Sequence, residues 1–126
     1  MRYNNYHKHD HVSNIFTPDT NTKQEEYVLK ALEYGHTTYS TVNHGSFGDI
    51  FEARTLCNKY GLRCIAGIEG YIVPDASQKD KRNYHIIVIP KTDEARKKMN
   101  YVSSMANIKG FYYKPRFFLS DLLKLD

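Results

Sequence analysis

The chain has 126 residues, the length of one domain, and its 40% hydrophobic content excludes a disordered tail. No stretch approaches the roughly 20 apolar residues that span a membrane, and the polar start of the chain lacks the apolar region of a signal peptide. The net charge of +4 is compatible with a polyanionic partner without indicating one. Cys57 and Cys64 have no CxxC spacing, so they are predicted to be reduced core thiols of a cytoplasmic protein.

The first predicted elements are an extended segment and a helix. Tyr3–His9 is predicted to be a short first strand, and the polar stretch around Pro18 disfavours helix. Thr22 and Glu25 have the spacing of a capping box, which predicts a helix start. Gly35 is expected to terminate that helix as the residue after its C-cap.

Two strands and a second helix are predicted next. Thr37–Val42 is rich in β-branched residues and is predicted to be a strand. A helix with an apolar face begins near Ile50 and is closed by Gly61. Leu62–Ile68 is predicted to be a buried strand, and residues 75–83 are predicted to be a polar loop without a helical pattern. Parallel strands usually need a helical crossover, so this strand and the next are predicted to form an antiparallel ribbon.

The rest of the chain is predicted to hold a strand, two helices and an aromatic segment. Tyr84–Ile89 is the most apolar strand, and Thr92 is expected to cap a helix that continues to about residue 106. Lys109–Phe118 is extended and aromatic, and Ser120 is expected to cap a short last helix. The alternation of strands and helices predicts an α/β fold with a largely parallel sheet.

Histidines and carboxylates are predicted to converge at one end of this sheet. His-x-His at the end of an extended segment places both imidazoles on one side, and the other candidates lie at strand ends or in the polar loop. Sites of α/β sheets form at the carboxyl ends of strands, and imidazole with carboxylate favours Zn, Mn or Fe. The candidate ligands are His7, His9, Asp19, His44, Glu69 and His85.

Each of these residues also has an ordinary interpretation. The His-x-His pair is compatible with a chance surface pair, and Glu69 with a solvated carboxylate. His44 precedes a glycine and is compatible with a turn residue, while His85 is compatible with a partly buried histidine of a strand. Their common placement at one end of the sheet favours the metal site over these alternatives.

Five segments, in this order, resemble the motifs of the polymerase and histidinol phosphatase (PHP) domain family. His7–His9 followed by Ser13 resembles the His-x-His motif, and Thr41–Gly45 resembles the Thr-Asp-His-Gly motif. Gly67–Tyr71 resembles the Gly-x-Glu-x-Tyr segment, and Asn83–Val88 resembles the Tyr-His-Leu-Val strand. Gly110–Arg116 is similar to a segment of the PHP domains found in bacterial and phage DNA polymerase III alpha subunits.

The resemblance implies a distorted (β/α)7 barrel with up to three divalent metal ions (Zn, Mn or Fe). Residues 1–126 are expected to be the first part of such a domain, because the later ligands of the family and the polymerase carboxylates have no counterpart here. By motif match the six candidates above are metal ligands, and Glu69 and His44 are the candidate catalytic residues. Asn43 stands where the family usually has Asp, which alters the surroundings of His44.

The function implied by the resemblance is that of a metal-binding module of a replicative polymerase, with phosphoesterase or 3′–5′ exonuclease chemistry at a DNA end. Lys114 and Arg116 are candidate phosphate contacts, with a solvated loop as their alternative. Expected partners are DNA, the remainder of a polymerase III alpha chain and, through exposed sheet edges, a second copy of the chain. The alternatives are a catalytically inactive structural module and, without the resemblance, a small α/β binding protein with incidental histidines.

Overall fold

The computed structural model describes residues 4–15, 18–75, 79 and 81–125. It confirms an α/β fold, in which four strands form one sheet, and helices lie between the first and second strands and between the third and fourth. The chain divides into two compact units, Met1–Ile68 and Glu69–Asp126, and the boundary falls within a strand. No helix among the described residues is long and apolar enough to cross a membrane. The elements, in order, are a 3-10 helix at His11–Ile15, α1 at Gln24–Glu33, β1 at Thr38–His44, α2 at Ile50–Tyr60, β2 at Arg63–Val73, β3 at Tyr84–Val88, α3 at Asp93–Ile108, β4 at Arg116–Phe118 and α4 at Leu119–Leu122.

The first unit packs α1 and α2 on β1, and β1 neighbours β2 in the sheet. Its apolar core comes from one face of each helix together with strand and loop residues, because only one face of each helix is apolar. The buried core residues are Val28, Tyr39, Ala53, Leu56, Cys57 and Leu62. Gly61 closes α2 with a φ of 71°, a left-handed conformation that glycine adopts without a Cβ penalty, as predicted.

The start of the first unit differs from the sequence prediction. Among its described residues the predicted first strand has no strand structure, and Tyr3 lies outside the described residues. A 3-10 helix occurs at His11–Ile15, where no helix was predicted, and the Asp10 side chain accepts from Val12 N–H at its start. The predicted capping box is also wrong. Lys23 is the N-cap of α1, and no side chain caps it.

The second unit contains the second half of β2 with β3, α3, β4 and α4. β3 neighbours β2, as the ribbon prediction requires, and β4 pairs with β2 in parallel at Tyr71↔Arg116 through Val73↔Phe118. Close packing fixes this part of β2, because a Cβ on Gly70 would overlap the ring of buried Phe117. The core also holds apolar side chains of α3, namely Met99, Val102 and Ala106.

Two helix starts in the second unit test the predicted caps. Thr92 caps α3 as predicted, since its hydroxyl accepts from Ala95 N–H at 3.1 Å. Ser120 does not cap the last helix, because Phe118 is the N-cap of α4 and Ser120 lies within it. The strand predicted to end at Ile68 continues to Val73, so that Glu69 lies inside β2 rather than after it.

Candidate metal centre

Four predicted ligands lie together in the first unit, and we call them the histidine group: His7, His9, Asp19 and His44. His7 Nε2 and His9 Nε2 are 2.9 Å apart, and His44 Nε2 is 3.5 Å from Asp19 Oδ2. The rings of His9 and His44 stack with their centroids 4.1 Å apart. One ligand atom from each of His9, Asp19 and His44 lies within 4.8 Å of the others. Asp19, from the polar loop that follows the His-x-His segment, thus lies beside His44.

Ligand atoms of His9, Asp19 and His44 lie close enough to share one small divalent ion, and His7 adjoins His9. Ligand atoms about 2.1 Å from a tetrahedral ion are separated from each other by about 3.4 Å. The separations of 2.9 and 3.5 Å found here bracket that value. Three imidazoles with one carboxylate are a donor set that favours Zn, Mn or Fe over Mg or Ca.

A buried hydrogen-bond chain fixes the proton on the His9 ring. Asn43 Oδ1 accepts from Asp10 N–H at 3.0 Å, which identifies it as the oxygen, and it also accepts from the Ser13 hydroxyl at 2.7 Å. Ser13 has only that one proton, so at 2.9 Å its oxygen must accept from His9 Nδ1–H. The proton is thereby placed on Nδ1, and His9 Nε2 presents a lone pair to the group.

Two buried carboxyl groups lie next to this series of hydrogen bonds, and Asn43 donates to both of them. Its Nδ2 donates to Asp10 Oδ1 at 3.0 Å and to Asp49 Oδ2 at 2.6 Å, and the Thr41 hydroxyl also donates to Asp49. Burial, together with the neighbouring Asp10, raises the pKa of Asp49 to about 6. Burial alone would raise the pKa of Asp10 as well. Hydrogen bonds from Val12 N–H, Asn43 and Asp49, and the charge of Lys8, outweigh it and lower that pKa.

Two predicted ligands form a pair in the second unit. Glu69 is 3% exposed in β2, and its Oε1 lies 2.6 Å from Nδ1 of His85, whose side chain is 52% exposed. The His85 ring stands edge-on to buried Tyr71, with the centroids 5.0 Å apart. Glu69 thus contacts the imidazole of His85 at Nδ1. A carboxylate in this position orients an imidazole for ligation through Nε2.

The two candidate phosphate contacts lie in different surroundings in the second unit. The Lys114 ammonium lies 4.4 Å from the centroid of the Tyr71 ring. Arg116 is 3% exposed in β4, and its Nε donates to Gly110 O at 2.9 Å. The solvated-loop alternative is therefore wrong for Arg116, because β4 carries this side chain into the interior of the unit.

Three features of the network that supports His9 were not predicted from the sequence. They are Asp10, Asp49 and the hydrogen-bonding role of Ser13. Ser13 was noted within a motif but without a function, and Asp10 lies within the HKHDH segment. The one available signal was Asn43 itself, because an amide in place of a carboxylate indicates that acceptors surround the position. The roles of Asp10 and Ser13 depend on contacts with a residue 30 or more positions away, which periodicity does not encode.

Comparison with known proteins places the chain in a family. The PHP domain matches residues 6–125. DNA polymerase III subunit alpha of Aquifex aeolicus (strain VF5) is 33% identical over 105 residues, which are 75% of this chain and 9% of that protein. The same subunit of Treponema pallidum (strain Nichols) is 31% identical over 116 residues, which are 87% of this chain and 10% of that protein. The subunit of Helicobacter pylori (strain ATCC 700392 / 26695) is 29% identical over 120 residues, which are 92% of this chain and 10% of that protein.

The chain thus spans about a tenth of the length of the curated relatives it matches. The match covers the His-x-His segment, β1 with His44, and β2 and β3 with Glu69 and His85, in agreement with the order of the motifs. On this evidence, the chain belongs to the PHP domain family.

Proposed function

We propose that this chain is a metal-binding PHP module that serves DNA replication within a longer polymerase chain, with phosphoester hydrolysis as its chemistry. The observation that carries the proposal is the histidine group, in which ligand atoms of His9, Asp19 and His44 lie within 4.8 Å of one another. Similarity to polymerase III alpha subunits supports the replication role.

The residues of the histidine group would hold the ion in distinct ways. His9 offers Nε2 because Ser13 occupies Nδ1, and His7 Nε2 adjoins it at 2.9 Å. Asp19 supplies a negative charge beside His44, which offsets part of the charge of a bound cation. The family motifs support Glu69 and His85 as further ligands, and their contact at 2.6 Å orients the imidazole.

When bound, a divalent ion in such a site supplies Lewis acidity and activates water for attack on phosphorus. The chain's own contribution is to hold neutral imidazoles in place, which the buried hydrogen bonds of Ser13 and Asn43 accomplish for His9. Of the candidate catalytic residues, His44 lies 3.5 Å from Asp19, and Glu69 Oε1 lies 2.6 Å from His85 Nδ1, close enough to exchange a proton with it. A DNA 3′ end is the proposed substrate, and Lys114 is the more exposed of the two candidate phosphate contacts.

A structural module without catalysis is the second candidate function. The Glu69–His85 pair is compatible with it, because the imidazole at 2.6 Å gives the buried carboxylate a hydrogen-bond partner without any metal. In that case the histidine group would bind metal for stability alone, as metal binding to a preformed site stabilises the folded state.

The test is the metal content of the full chain purified without chelator. We expect near-stoichiometric Zn, Mn or Fe in the parent, and loss of it in a His9→Ala/His44→Ala variant. The matched control is His11→Ala/His36→Ala, which removes the same number of histidines outside the group and should retain the metal. Equal metal content in all three proteins, or none in a folded parent, contradicts the metal site.

Hydrolysis is tested separately on a labelled single-stranded DNA with a free 3′ end. Metal-dependent release of nucleotides that the His9→Ala/His44→Ala variant lacks supports the phosphoesterase, whereas metal binding without hydrolysis supports the structural module. Hydrolysis that resists chelators would contradict both.

The partner proposals concern the remainder of a polymerase chain and a second copy of this one. β3 is the last strand in the order β1-β2-β3, and it exposes the side chains of Tyr84 and Ile87. An open strand edge with exposed apolar side chains favours strand pairing. Light scattering after gel filtration should therefore show concentration-dependent association that Ile87→Lys reduces. A monodisperse monomer at all concentrations contradicts self-association.

A further inference from the structure

The first unit contains a cavity of about 430 Å³ outside the histidine group. It lies between one face of α1 and the first residues of β1. The lining residues of the helix are spaced three and four positions apart, which places them on one face. Because His44 is the last residue of β1, the cavity and the histidine group adjoin opposite ends of that strand. The lining residues are Asn5, Lys8, Tyr27, Lys30, Ala31, Tyr34, His36, Thr38, Tyr39 and Ser40.

The charged lining residues of this cavity are cations. Lys8 and Lys30 carry positive charge, and the lining contains no carboxylate. The Lys8 ammonium lies 4.5 and 4.3 Å from the ring centroids of Tyr27 and Tyr39, and Lys30 lies 4.9 Å from that of Tyr34. The tyrosine faces thus already hold cations, which disfavours a cationic ligand. Lys30 also contacts both carboxylate oxygens of Glu33 at 2.8 Å, so an anionic ligand would share this ammonium with Glu33.

Lys8 and Tyr39 form a polar contact at the cavity wall. The Lys8 side chain is 10% exposed, and its ammonium donates to the Tyr39 hydroxyl at 2.6 Å. Lysine has no acceptor, so the tyrosine oxygen accepts this bond and its own proton remains to be donated. Among the described residues Lys8 is the only hydrogen-bond partner of that hydroxyl, so the hydroxyl can donate to a ligand oxygen.

Aromatic side chains at the cavity offer a stacking surface for a ligand. Tyr34 is 65% exposed at the C-terminal end of α1, and Tyr27 lies two turns earlier on the same helix face. Exposed tyrosine rings stack on nucleobases without sequence preference, and cavities of 300–1,000 Å³ hold molecules of that size. We propose that this cavity binds a nucleoside monophosphate, with the base against Tyr34 and the phosphate near Lys30. The ligand is either a free nucleotide or the terminal nucleotide of a single strand.

The test is calorimetric titration of the full chain in the presence of EDTA, so that the histidine group holds no metal. The probes are deoxyadenosine 5′-monophosphate, deoxyadenosine and inorganic phosphate. We expect the nucleotide to bind at least about 10-fold more tightly than either part, because base and phosphate contact different side chains. Equal affinity for nucleotide and phosphate, or no saturable nucleotide binding, overturns the proposal.

Two variants and a matched control locate the site. Tyr34→Ala removes the stacking surface and should weaken nucleotide binding about 5-fold or more. Lys30→Gln should weaken it several-fold and reduce its dependence on salt. Lys59→Gln is the control, because Lys59 also lies over a tyrosine ring and pairs with a glutamate, but outside the cavity. Losses of equal size in Lys30→Gln and Lys59→Gln overturn the assignment.

The source of the nucleotide is resolved with a deoxyadenosine tetranucleotide that carries a 5′-phosphate. Binding at least as tight as that of the mononucleotide supports a strand end, and weaker binding supports a free nucleotide. Circular dichroism establishes that the variants are folded. If Tyr34→Ala does not fold, Lys30→Gln alone decides the proposal, since Lys30 is exposed and its ion pair with Glu33 is a surface contact.

Discussion

The two units place their candidate ligands by different means. In the first unit a buried network of polar side chains holds His9, through Ser13 and Asn43, and two carboxyl groups support the network. In the second unit Glu69 is placed by close backbone packing, with Gly70 against the ring of Phe117, and His85 by its ion pair. Polar networks are sensitive to charge and pH, whereas close packing is sensitive to volume. The units should therefore respond to different substitutions.

The largest effect is expected from Asn43→Asp. The change restores the residue usual in the family motif but removes a donor to Asp10 and Asp49, and it brings a third carboxyl group to two that are already buried. We expect the free energy of unfolding at pH 7 to fall by about 3–5 kcal/mol, as for other uncompensated buried charges. Urea denaturation measures it, and a variant as stable as the parent would contradict the network.

Gly70→Ala should have the next largest effect, on the second unit. The added methyl group would overlap the ring of Phe117, which is buried. Overpacking of this kind costs about 1–3 kcal/mol. The control is Gly35→Ala, where no atom lies within 4 Å of the added Cβ and only the φ of 69° opposes the change. Thermal denaturation should show a greater loss for Gly70→Ala, and the reverse order would contradict close packing as the constraint.

Asp49→Asn should change how stability depends on pH. The folded state raises the pKa of Asp49 from 3.8 to about 6 and so binds its proton more tightly than the unfolded state. This contribution to stability is complete at low pH and is lost as the pH rises through about 6. The amide oxygen of Asn can still accept from Thr41 and Asn43. At pH 7 the variant should be more stable than the parent by about 1–2 kcal/mol.

That gain should disappear near pH 4, where the carboxyl group is protonated in the folded parent. Denaturation curves of both proteins at several pH values measure the difference in their free energies of unfolding. In this difference, the contributions of the carboxyl groups that both proteins share cancel. A difference that is constant from pH 4 to pH 7 would show that Asp49 is not the titrating group.

Residues that act locally were predictable from sequence, and residues that act across the chain were not. Thr92 at the start of α3 and Gly61 at the end of α2 follow from helix chemistry within a few positions. The family motif was enough to propose His44, although the stack of His44 on His9 required the fold. The extent of β2 past Glu69 depends on its pairing with β4, more than 40 residues later, so no local pattern marks it.

Ser13→Ala should have the smallest effect on stability and the most specific effect on metal binding. Loss of the hydroxyl removes the acceptor of His9 Nδ1–H, so the ring can place its proton on either nitrogen. We expect a stability loss of about 1 kcal/mol. Metal affinity should fall about 10-fold or more, as for other residues that orient a ligating histidine. Competition titration against a chelator measures the affinity, and ¹⁵N chemical shifts of the imidazole report which nitrogen holds the proton.

Ser46→Ala is the matched control for that prediction. Its hydroxyl accepts from Gly48 N–H at 2.9 Å, a hydrogen bond that involves no imidazole. The control should lose less stability than Ser13→Ala, whose hydroxyl is buried, and should keep its metal affinity. If both serine variants weaken metal binding equally, the loss follows from general loosening of the first unit. If only Ser13→Ala does so, with a shift of the His9 proton, the buried network sets the ligand geometry. The first unit would then be a preorganised metal site.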